Sequence, residues 1–147
     1  MSIIELSFEQ ILPIWRDYLW PNRTSPIESN SAMCLYGGYN MFNMTTKPTF
    51  FACMIDNEIA GVYSGHMCEN LEYRSRGLFV FDKFRGKGIG TKLINAAVDQ
   101  GRLEGAVLCW CYPRESSVGI HMDVGFKLVS EFEVGESGNN AYCVYHY

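Results

Sequence analysis

The sequence lacks the features that would place the chain in a membrane or on a nucleic acid. No apolar run approaches the roughly 18 residues of a membrane-spanning helix. The 12 lysines and arginines are outnumbered by 16 acidic residues, which leaves a formal net charge of −4. The basic surface of a sequence-independent nucleic-acid binder is therefore missing. We expect no membrane and no nucleic-acid partner, and the acidic balance favours amines or other cationic substrates.

Secretion signals and metal-binding cysteine patterns are also missing. The N-terminus has no basic segment followed by an apolar one, so we expect no secretory signal. The six cysteines contain no C-x-x-C pair, and most lie in apolar, strand-like runs where free cysteine behaves as a small hydrophobe. Cys109 and Cys111 share one strand face, but they have no histidine nearby and make a poor zinc site. The sequence predicts a reduced, cytoplasmic protein without a metal.

The length and apolar pattern predict one α/β domain. The chain has 147 residues, 48% hydrophobic and 19% charged, a balance typical of a folded globular protein. Residues 22–48 are predicted as a short helix and irregular loop, and 135–140 as a turn. The predicted strands are 2–6, 49–55, 59–67, 73–81, 106–112, 127–134 and 141–147, and the predicted helices are 8–19, 88–104 and 116–124. This order predicts one mixed, mostly antiparallel sheet of about six to seven strands with helices on both faces.

The most informative stretch is the glycine-rich run from Arg85 to Gly90, between an apolar strand and an amphipathic helix. Such a run can present several backbone N–H groups to an anion at a helix N-terminus, as a nucleotide pyrophosphate requires. Its glycines alternate every second residue, which does not fit the dinucleotide fingerprint G-x-G-x-x-G. The order Gly90-Thr91-Lys92 does not fit the P-loop either. A basic turn that only joins two elements is the alternative interpretation.

Two segments carry a resemblance to a known family. Residues 80–90 (Val-Phe-Asp-Lys-Phe-Arg-Gly-Lys-Gly-Ile-Gly) resemble the acetyl-CoA motif of the GNAT superfamily of N-acyltransferases, V-x-P-x-x-[RQ]-G-x-G-[IV]-[GA]. Asp82 stands where the motif has proline. Residues 120–126 (Ile-His-Met-Asp-Val-Gly-Phe) resemble the family segment L-Y-E-K-x-G-F. The resemblance implies one GNAT-like domain over 1–147, in which 73–133 form the cofactor-binding half and 1–72 lie mainly on the substrate side.

The resemblance also implies an activity. An N-acetyltransferase would move an acetyl group from acetyl-CoA, or another short acyl group from its CoA thioester, to a primary amine of a small molecule or peptide. Attack would be direct, in a ternary complex. A non-catalytic acyl-CoA-binding or regulatory module on the same fold is the alternative. The residues implied in cofactor binding are Phe79, Val80, Arg85, Gly86, Lys87, Gly88, Ile89, Gly90 and Thr91.

Two residues are candidates for the acid that protonates the departing thiolate. His121 occupies the position where many family members have a tyrosine with this role. An ordinary histidine pKa near 6.5 would leave some imidazolium near neutral pH. A surface histidine on a short helix is the alternative. Tyr112, just beyond a predicted strand, is the second candidate hydroxyl.

The candidate base is a carboxylate before the cofactor-binding strand. Glu72 and Glu69 lie where several family members place one, and Glu72 shares a strand face with Val80 if no bulge intervenes. Solvated hairpin charges, a water chain and His66 are the alternatives.

The N-terminal half is expected to supply acceptor specificity, because it is rich in aromatic residues that can form either a pocket wall or core. These residues are Trp15, Tyr18, Trp20, Tyr36 and Tyr39. The exposed final strands are compatible with a homodimer.

Overall fold

The structure is built on a seven-stranded sheet. The computed structural model describes residues 1–135 and 138–147. Its strands and helices, in chain order, are β1 (Ser2–Leu6), α1 (Phe8–Ile14), β2 (Thr49–Ile55), β3 (Glu58–Cys68), β4 (Glu72–Val80), α2 (Ile89–Leu103), β5 (Leu108–Cys111), α3 (Glu115–Val124), β6 (Lys127–Leu128), β7 (Glu133–Gly135), β8 (Gly138–Asn140) and β9 (Cys143–His146). The sheet order is β1-β2-β3-β4-β5-β9-β6, and its neighbours are antiparallel except β4 and β5. The predicted mixed, mostly antiparallel α/β fold is confirmed.

The N-terminal helix begins where the sequence predicts. Ser7 Oγ accepts a hydrogen bond from the Gln10 N–H at 3.2 Å, and Gln10 Oε1 accepts one from the Ser7 N–H at 2.8 Å. This capping box satisfies two backbone donors at the start of α1. The helix continues to the predicted end, but Trp15–Leu19 is π-helical. Pro13 lies just upstream and lacks the N–H that a regular α-helix uses.

The last third of the chain departs from the prediction. The strand predicted over 127–134 is wrong, because β6 and β7 are separate short strands with no ladder between them in the described residues. Ser130 interrupts the pairing with its side chain, since its Oγ accepts from the Tyr142 N–H at 2.8 Å. The predicted turn over 135–140 is wrong where it is described, because Gly138–Asn140 is strand β8 paired with β7. Glu136 and Ser137 lie outside the described residues.

Alternation along β2 divides the core between the two faces of the sheet. Phe51 and Cys53 pack on the side of α2 and α3, whereas Phe50 and Ala52 pack against Trp15 on the side of α1. The prediction of helices on both faces is confirmed. The two edges of the sheet are formed by the short strands β1 and β6. A homodimer through one of these edges stays a prediction.

The cysteines lie in the core as free thiols. Five of them are buried and Cys34 is partly exposed. Cys109 and Cys111 both pack on the face that carries α2 and α3, which confirms that they share one face. The described residues contain no group of three or more histidine, cysteine or acidic side chains placed to hold a metal ion. None of the described helices combines the length and apolarity that a membrane crossing needs.

A β-bulge in β4 separates this strand from β5. Tyr63 of β3 opposes two residues of β4, Gly77 and Leu78, because the pairing register shifts by one there. Gly77 adopts a φ of +82°, and the Trp15 indole Nε1–H donates to its carbonyl oxygen at 2.9 Å. The parallel ladder between β4 and β5 ends at Arg74. Beyond that residue no ladder joins the two strands in the described chain, so the β5 side of β4 is open.

Gly77→Ala is expected to destabilise the fold by about 3 kcal/mol. A methyl group there would lie 2.5 Å from the Trp15 indole. Left-handed strain costs about 1–2 kcal/mol and overpacking about 1–3 kcal/mol. Gly105→Ala is the matched control, because Gly105 also has a positive φ (+88°) but open space around its Cβ position. It should lose only about 1 kcal/mol in urea unfolding. Equal losses in the two variants would contradict the close contact with Trp15.

Candidate functional site

A cavity of about 950 Å³ lies in the gap between the diverging strands β4 and β5. Glycines of the loop before α2 line one end of it, and Tyr18 and Trp20, at the end of the first helical segment, line the other. Tyr63, Ser75 and His121 line it from β3, β4 and α3. The bulge therefore creates a space that joins the glycine-rich loop to the aromatic N-terminal segment.

The glycine-rich loop presents backbone donors to this cavity. Gly86 and Gly88 have φ values of +77° and +78°, which favour glycine, and Gly88 is the residue that caps the start of α2. The first backbone hydrogen bond of α2 runs from the Lys92 N–H to the Gly88 carbonyl oxygen at 3.1 Å. Within the described chain, the N–H groups of residues 89–91 thus have no helical acceptor. Together with the positive end of the helix dipole, they make this loop chemically suited to an anion.

The end of β4 presents its backbone to the same cavity. The Phe81 N–H donates to the Ala60 carbonyl oxygen on β3 at 2.9 Å. Because neighbouring residues of a strand direct their backbone groups to opposite sides, Val80 directs its N–H and C=O toward the side that β5 has left. The Val80 carbonyl oxygen accepts from Arg85 Nε at 3.1 Å. The Val80 N–H therefore has the position of a donor for an extended ligand that replaces the missing strand.

Most of the predicted cofactor-binding residues line the cavity, namely Phe79, Val80, Arg85, Gly86, Gly88, Ile89 and Gly90. Lys87 and Thr91 are not among the lining residues; Lys87 Nζ lies 5.7 Å from the centroid of the Phe84 ring, and Thr91 is exposed. A methyl group at Gly90 would lie 2.6 Å from Ile120 Cδ1, so this glycine lets α2 pack closely on α3. Asp82, which replaces the motif proline, pairs with Arg85 Nη1 at 2.9 Å.

Three polar side chains form a hydrogen-bonded cluster at the middle of the cavity. Tyr63 Oη lies 2.7 Å from Ser75 Oγ and 2.9 Å from His121 Nε2. His121 Nδ1 lies 2.7 Å from the Ser117 carbonyl oxygen, which can only accept. Neutral His121 therefore carries its hydrogen on Nδ1, and its Nε2 accepts from the Tyr63 hydroxyl. Ser75 then donates to Tyr63 Oη, which completes the cluster.

The structure corrects both sequence-based interpretations of His121. The side chain is 1% exposed, so the surface-histidine alternative is wrong. Burial lowers the pKa of His121 to about 4, against a smaller opposing effect of the Ser117 carbonyl. The imidazolium expected near neutral pH is therefore not present. By contrast, burial holds the pKa of the Tyr63 hydroxyl well above its ordinary value, so Tyr63 keeps its proton.

Acidification from pH 7 to pH 5 is expected to destabilise the fold through two buried histidines. Burial lowers the pKa of His121 to about 4 and, with Arg74 and Arg76 adding to the effect, that of His66 to about 3. Below about pH 6.5 the two histidines therefore bind protons in the unfolded chain but remain neutral in the folded chain. The stabilisation by the neutral histidines is fully present above pH 6.5 and is lost as the pH falls toward 4. Between pH 7 and pH 5 the free energy of unfolding should fall by about 2 kcal/mol per histidine. Urea unfolding at both pH values measures the loss.

His121→Gln removes one of these titrations and serves as the internal control. The glutamine side chain can still hydrogen-bond, so the variant isolates the charge. Its loss of stability between pH 7 and pH 5 should be about 2 kcal/mol smaller than that of the unmodified chain. An equal loss in both proteins would contradict a neutral, buried His121.

Glu72 does not share a face with Val80, because the bulge at Gly77 reverses the alternation between them. Upstream of the bulge the odd-numbered Tyr73 packs on the α2 side, whereas downstream the even-numbered Val80 does. Glu72 and Glu69 are also absent from the described residues that line the cavity. Burial and the Glu69 carboxylate raise the pKa of Glu72. The condition on which Glu72 shares a face with Val80, a strand without a bulge, is therefore not met.

The aromatic residues of the N-terminal half divide between cavity and core. Tyr18, Trp20 and Tyr39 line the cavity, whereas Trp15 is fully buried in the core on the α1 side. Tyr36 is exposed and packs near the Tyr142 ring. Tyr112, the second candidate acid, lines the cavity and stacks on Tyr142 with a ring-centroid distance of 4.5 Å.

The polar residues of the cavity lining that sequence reasoning missed include Tyr63, Arg74, Ser75 and Arg76. Nothing in the sequence distinguished Tyr63 as a site residue, because it lies among apolar residues in a strand predicted to be buried. The two arginines could have been identified from the sequence. Charged residues two apart in a strand share one face, and two charges on one face of a buried strand indicate a polar site.

Comparison with known proteins identifies a family for this chain. A model of the acetyltransferase (GNAT) family matches residues 11–126. None of the curated protein sequences compared with the chain matches it.

Solved structures of acetyltransferases share the fold. ElaA from Escherichia coli has a TM-score of 0.73 and 13% identity over 99% of each chain. A ribosomal-protein-alanine N-acetyltransferase from Brucella melitensis has a TM-score of 0.69 and 14% identity over 100% of each chain. The PaiA N-acetyltransferase from Thermoplasma acidophilum, in complex with coenzyme A, has a TM-score of 0.58 and 16% identity over 68% of this chain and 61% of that chain. Identities this low show a common fold alone.

Proposed function

Because the chain belongs to the GNAT acetyltransferase family, we propose that it is an N-acetyltransferase that moves an acetyl group from acetyl-CoA to a primary amine. The acceptor is a small molecule or peptide, and its amine attacks directly in a ternary complex. The observation that supports this proposal most is the cavity of about 950 Å³ that joins the glycine-rich loop to the open side of β4. Residues 73–133 supply most of the cofactor contacts, and 1–72 lie mainly on the acceptor side.

The residues present fit the chemistry of coenzyme A. Its pyrophosphate requires several N–H donors and a nearby positive charge, which the N–H groups of residues 86–91 and the Arg85 guanidinium provide. The pantetheine arm carries amides that can pair with an open strand, and the Val80 backbone offers such a partner. When bound, acetyl-CoA supplies an activated thioester. In this proposal the thioester reacts in the gap between β4 and β5, which Tyr63 lines.

Tyr63 is the residue to which we assign proton delivery to the departing thiolate. Its hydroxyl lines the cavity, keeps its proton at neutral pH and is held by two partners, His121 Nε2 and Ser75 Oγ. His121 acts through Tyr63 as a positioning residue, because its neutral form orients the phenol. As the Tyr63 proton passes to the thiolate, its hydrogen bond to His121 Nε2 breaks. The proton that the amine loses is carried by water to Tyr63 and restores its hydroxyl, so the transfer balances.

Tyr112 keeps a lesser role in this proposal, and Glu72 has none. Tyr112 lines the cavity and is the second hydroxyl that can protonate the thiolate. Glu72 lies outside the cavity lining, so we assign no proton transfer to it. Since the described lining contains no carboxylate, water is the carrier that takes the amine proton.

Calorimetric titration with coenzyme A and an assay of thiol release from acetyl-CoA test the proposal together. We expect saturable binding and thiol release that depends on an added amine. Absence of binding at high ligand concentration would contradict the cofactor assignment. Binding without thiol release across a broad panel of amines would favour the non-catalytic acyl-CoA-binding module.

A further inference from the structure

The acceptor side of the cavity contains two buried arginines on β4. Arg74 and Arg76 are each 8% exposed, and both line the cavity. The Arg76 guanidinium carbon lies 4.9 Å and 5.3 Å from the ring centroids of Trp15 and Trp20, and its Nη1 donates to the Glu28 carbonyl oxygen at 2.9 Å. The Arg74 guanidinium carbon lies 4.9 Å from the Trp110 ring centroid. Within the described chain, Arg74 Nε is buried without a hydrogen-bond partner.

Among the described residues these guanidinium groups have no salt-bridge partner, although the charge of Glu28 raises the pKa of Arg76 against the larger, lowering effect of burial. The described cavity lining contains Arg23, Arg74, Arg76, Arg85 and Arg114 but no aspartate or glutamate. Burial lowers the pKa of Arg76 well below its ordinary value, and the Arg74 and Arg23 charges lower it further. Burying a charge without an ion-pair partner is costly, and the aromatic rings and one carbonyl oxygen offset that cost only in part.

We propose that the amine acceptor also carries an anionic group, a carboxylate or phosphate, and that Arg74 and Arg76 bind this group. The inference rests on the N-acetyltransferase function proposed above and specifies its substrate class. Guanidinium groups bind carboxylate and phosphate in bidentate geometry, and the free Nε–H of Arg74 is one of the donors that such a bond uses. Arg85 lies at the opposite, glycine-rich end, where it serves the cofactor.

The same charges act on the acceptor amine. Nearby positive charge disfavours an ammonium ion, so it lowers the pKa of the bound amine and favours the neutral nucleophile. This explains how the site works without a carboxylate base in its described lining. It also disfavours polycationic acceptors. The net charge of −4 by itself favours cationic substrates. The charged side chains that line the cavity are arginines, however, so the cavity has the opposite preference.

Matched acceptor pairs test the inference. One arm compares α-amino acids with their carboxamides, and the other compares phosphoethanolamine with ethanolamine, so the two arms separate carboxylate from phosphate. With saturating acetyl-CoA, we expect kcat/KM to be at least 100-fold higher for the anionic member of one arm. Arg74→Gln and Arg76→Gln should raise KM for that acceptor at least 10-fold while the coenzyme A dissociation constant stays unchanged. Arg16→Gln is the control, because Arg16 is exposed and pairs with Asp17 outside the cavity.

A second measurement does not depend on turnover. Acetate and inorganic phosphate are titrated into protein saturated with coenzyme A, so that the pyrophosphate cradle is already filled. One of them should bind, and Arg74→Lys should retain this binding better than Arg74→Gln. Equal use of neutral and anionic amines, or no binding of either anion, would overturn the inference and leave the proposed transferase intact. Anion binding through Arg74 without acetylation of any amine would support the anion site and contradict the transferase.

Discussion

Gly88→Glu is expected to abolish the binding of coenzyme A, with a loss of at least 100-fold in affinity. Gly88 caps the start of α2 with a φ of +78°, and its Cβ position faces open space in the cavity. A glutamate there would place negative charge where we expect the pyrophosphate, and its Cβ would strain the loop that directs the N–H groups. A 100-fold loss corresponds to about 2.7 kcal/mol, the scale of one or two charged hydrogen bonds. Isothermal titration calorimetry measures it directly.

Gly105→Glu is the matched control for this variant. Gly105 follows the other end of α2, with a φ of +88° and no atom within 4 Å of its Cβ position. It bears the same backbone strain and the same added charge, but it lies outside the cavity lining. Coenzyme A should therefore bind to it normally. Normal binding to Gly88→Glu would show that the pyrophosphate lies elsewhere.

Tyr63→Phe is expected to lower kcat by about 100-fold while the coenzyme A dissociation constant stays within about twofold. The change removes the hydroxyl that lies 2.9 Å from His121 Nε2 and 2.7 Å from Ser75 Oγ, but it keeps the ring in the core. Loss of a positioned acid typically costs a factor of about 10²–10⁴. Steady-state thiol release, together with calorimetry, separates the loss of kcat from any loss of binding.

Two further tyrosine variants make this result interpretable. Tyr112→Phe tests the second hydroxyl of the cavity and should have a smaller effect on kcat than Tyr63→Phe. Tyr36→Phe changes an exposed residue outside the cavity lining and should have none. If kcat falls with Tyr112→Phe and not with Tyr63→Phe, the roles of the two hydroxyls are reversed. If neither variant changes kcat, neither side chain is the required acid.

Local patterns in the sequence were sufficient for the elements that depend on neighbouring residues. Ser7 and Gln10 define the start of α1 through bonds across three residues. Between the predicted strands 49–55 and 59–67 the sequence indicates a hairpin across 56–58. The structure closes it one residue earlier, with Asp56 and Asn57 at positive φ, the backbone geometry that two-residue turns favour. The glycine-rich loop likewise contains its own turn residues and the first turn of α2. Each of these features is decided within a few residues, so a single sequence is enough to predict it.

The sequence by itself therefore determined the order of the elements up to α3, the glycine-rich turn before α2 and the family resemblance. Only the tertiary structure decided which side chains meet in the cavity. One bulge at Gly77 reverses the strand alternation, which removes Glu72 from the face of Val80 and opens β4 away from β5. Packing of α3 on the sheet then brings His121 to Tyr63, 58 residues away in the chain. A shift of one residue in register exchanges the two faces of a strand, and long-range packing decides that shift.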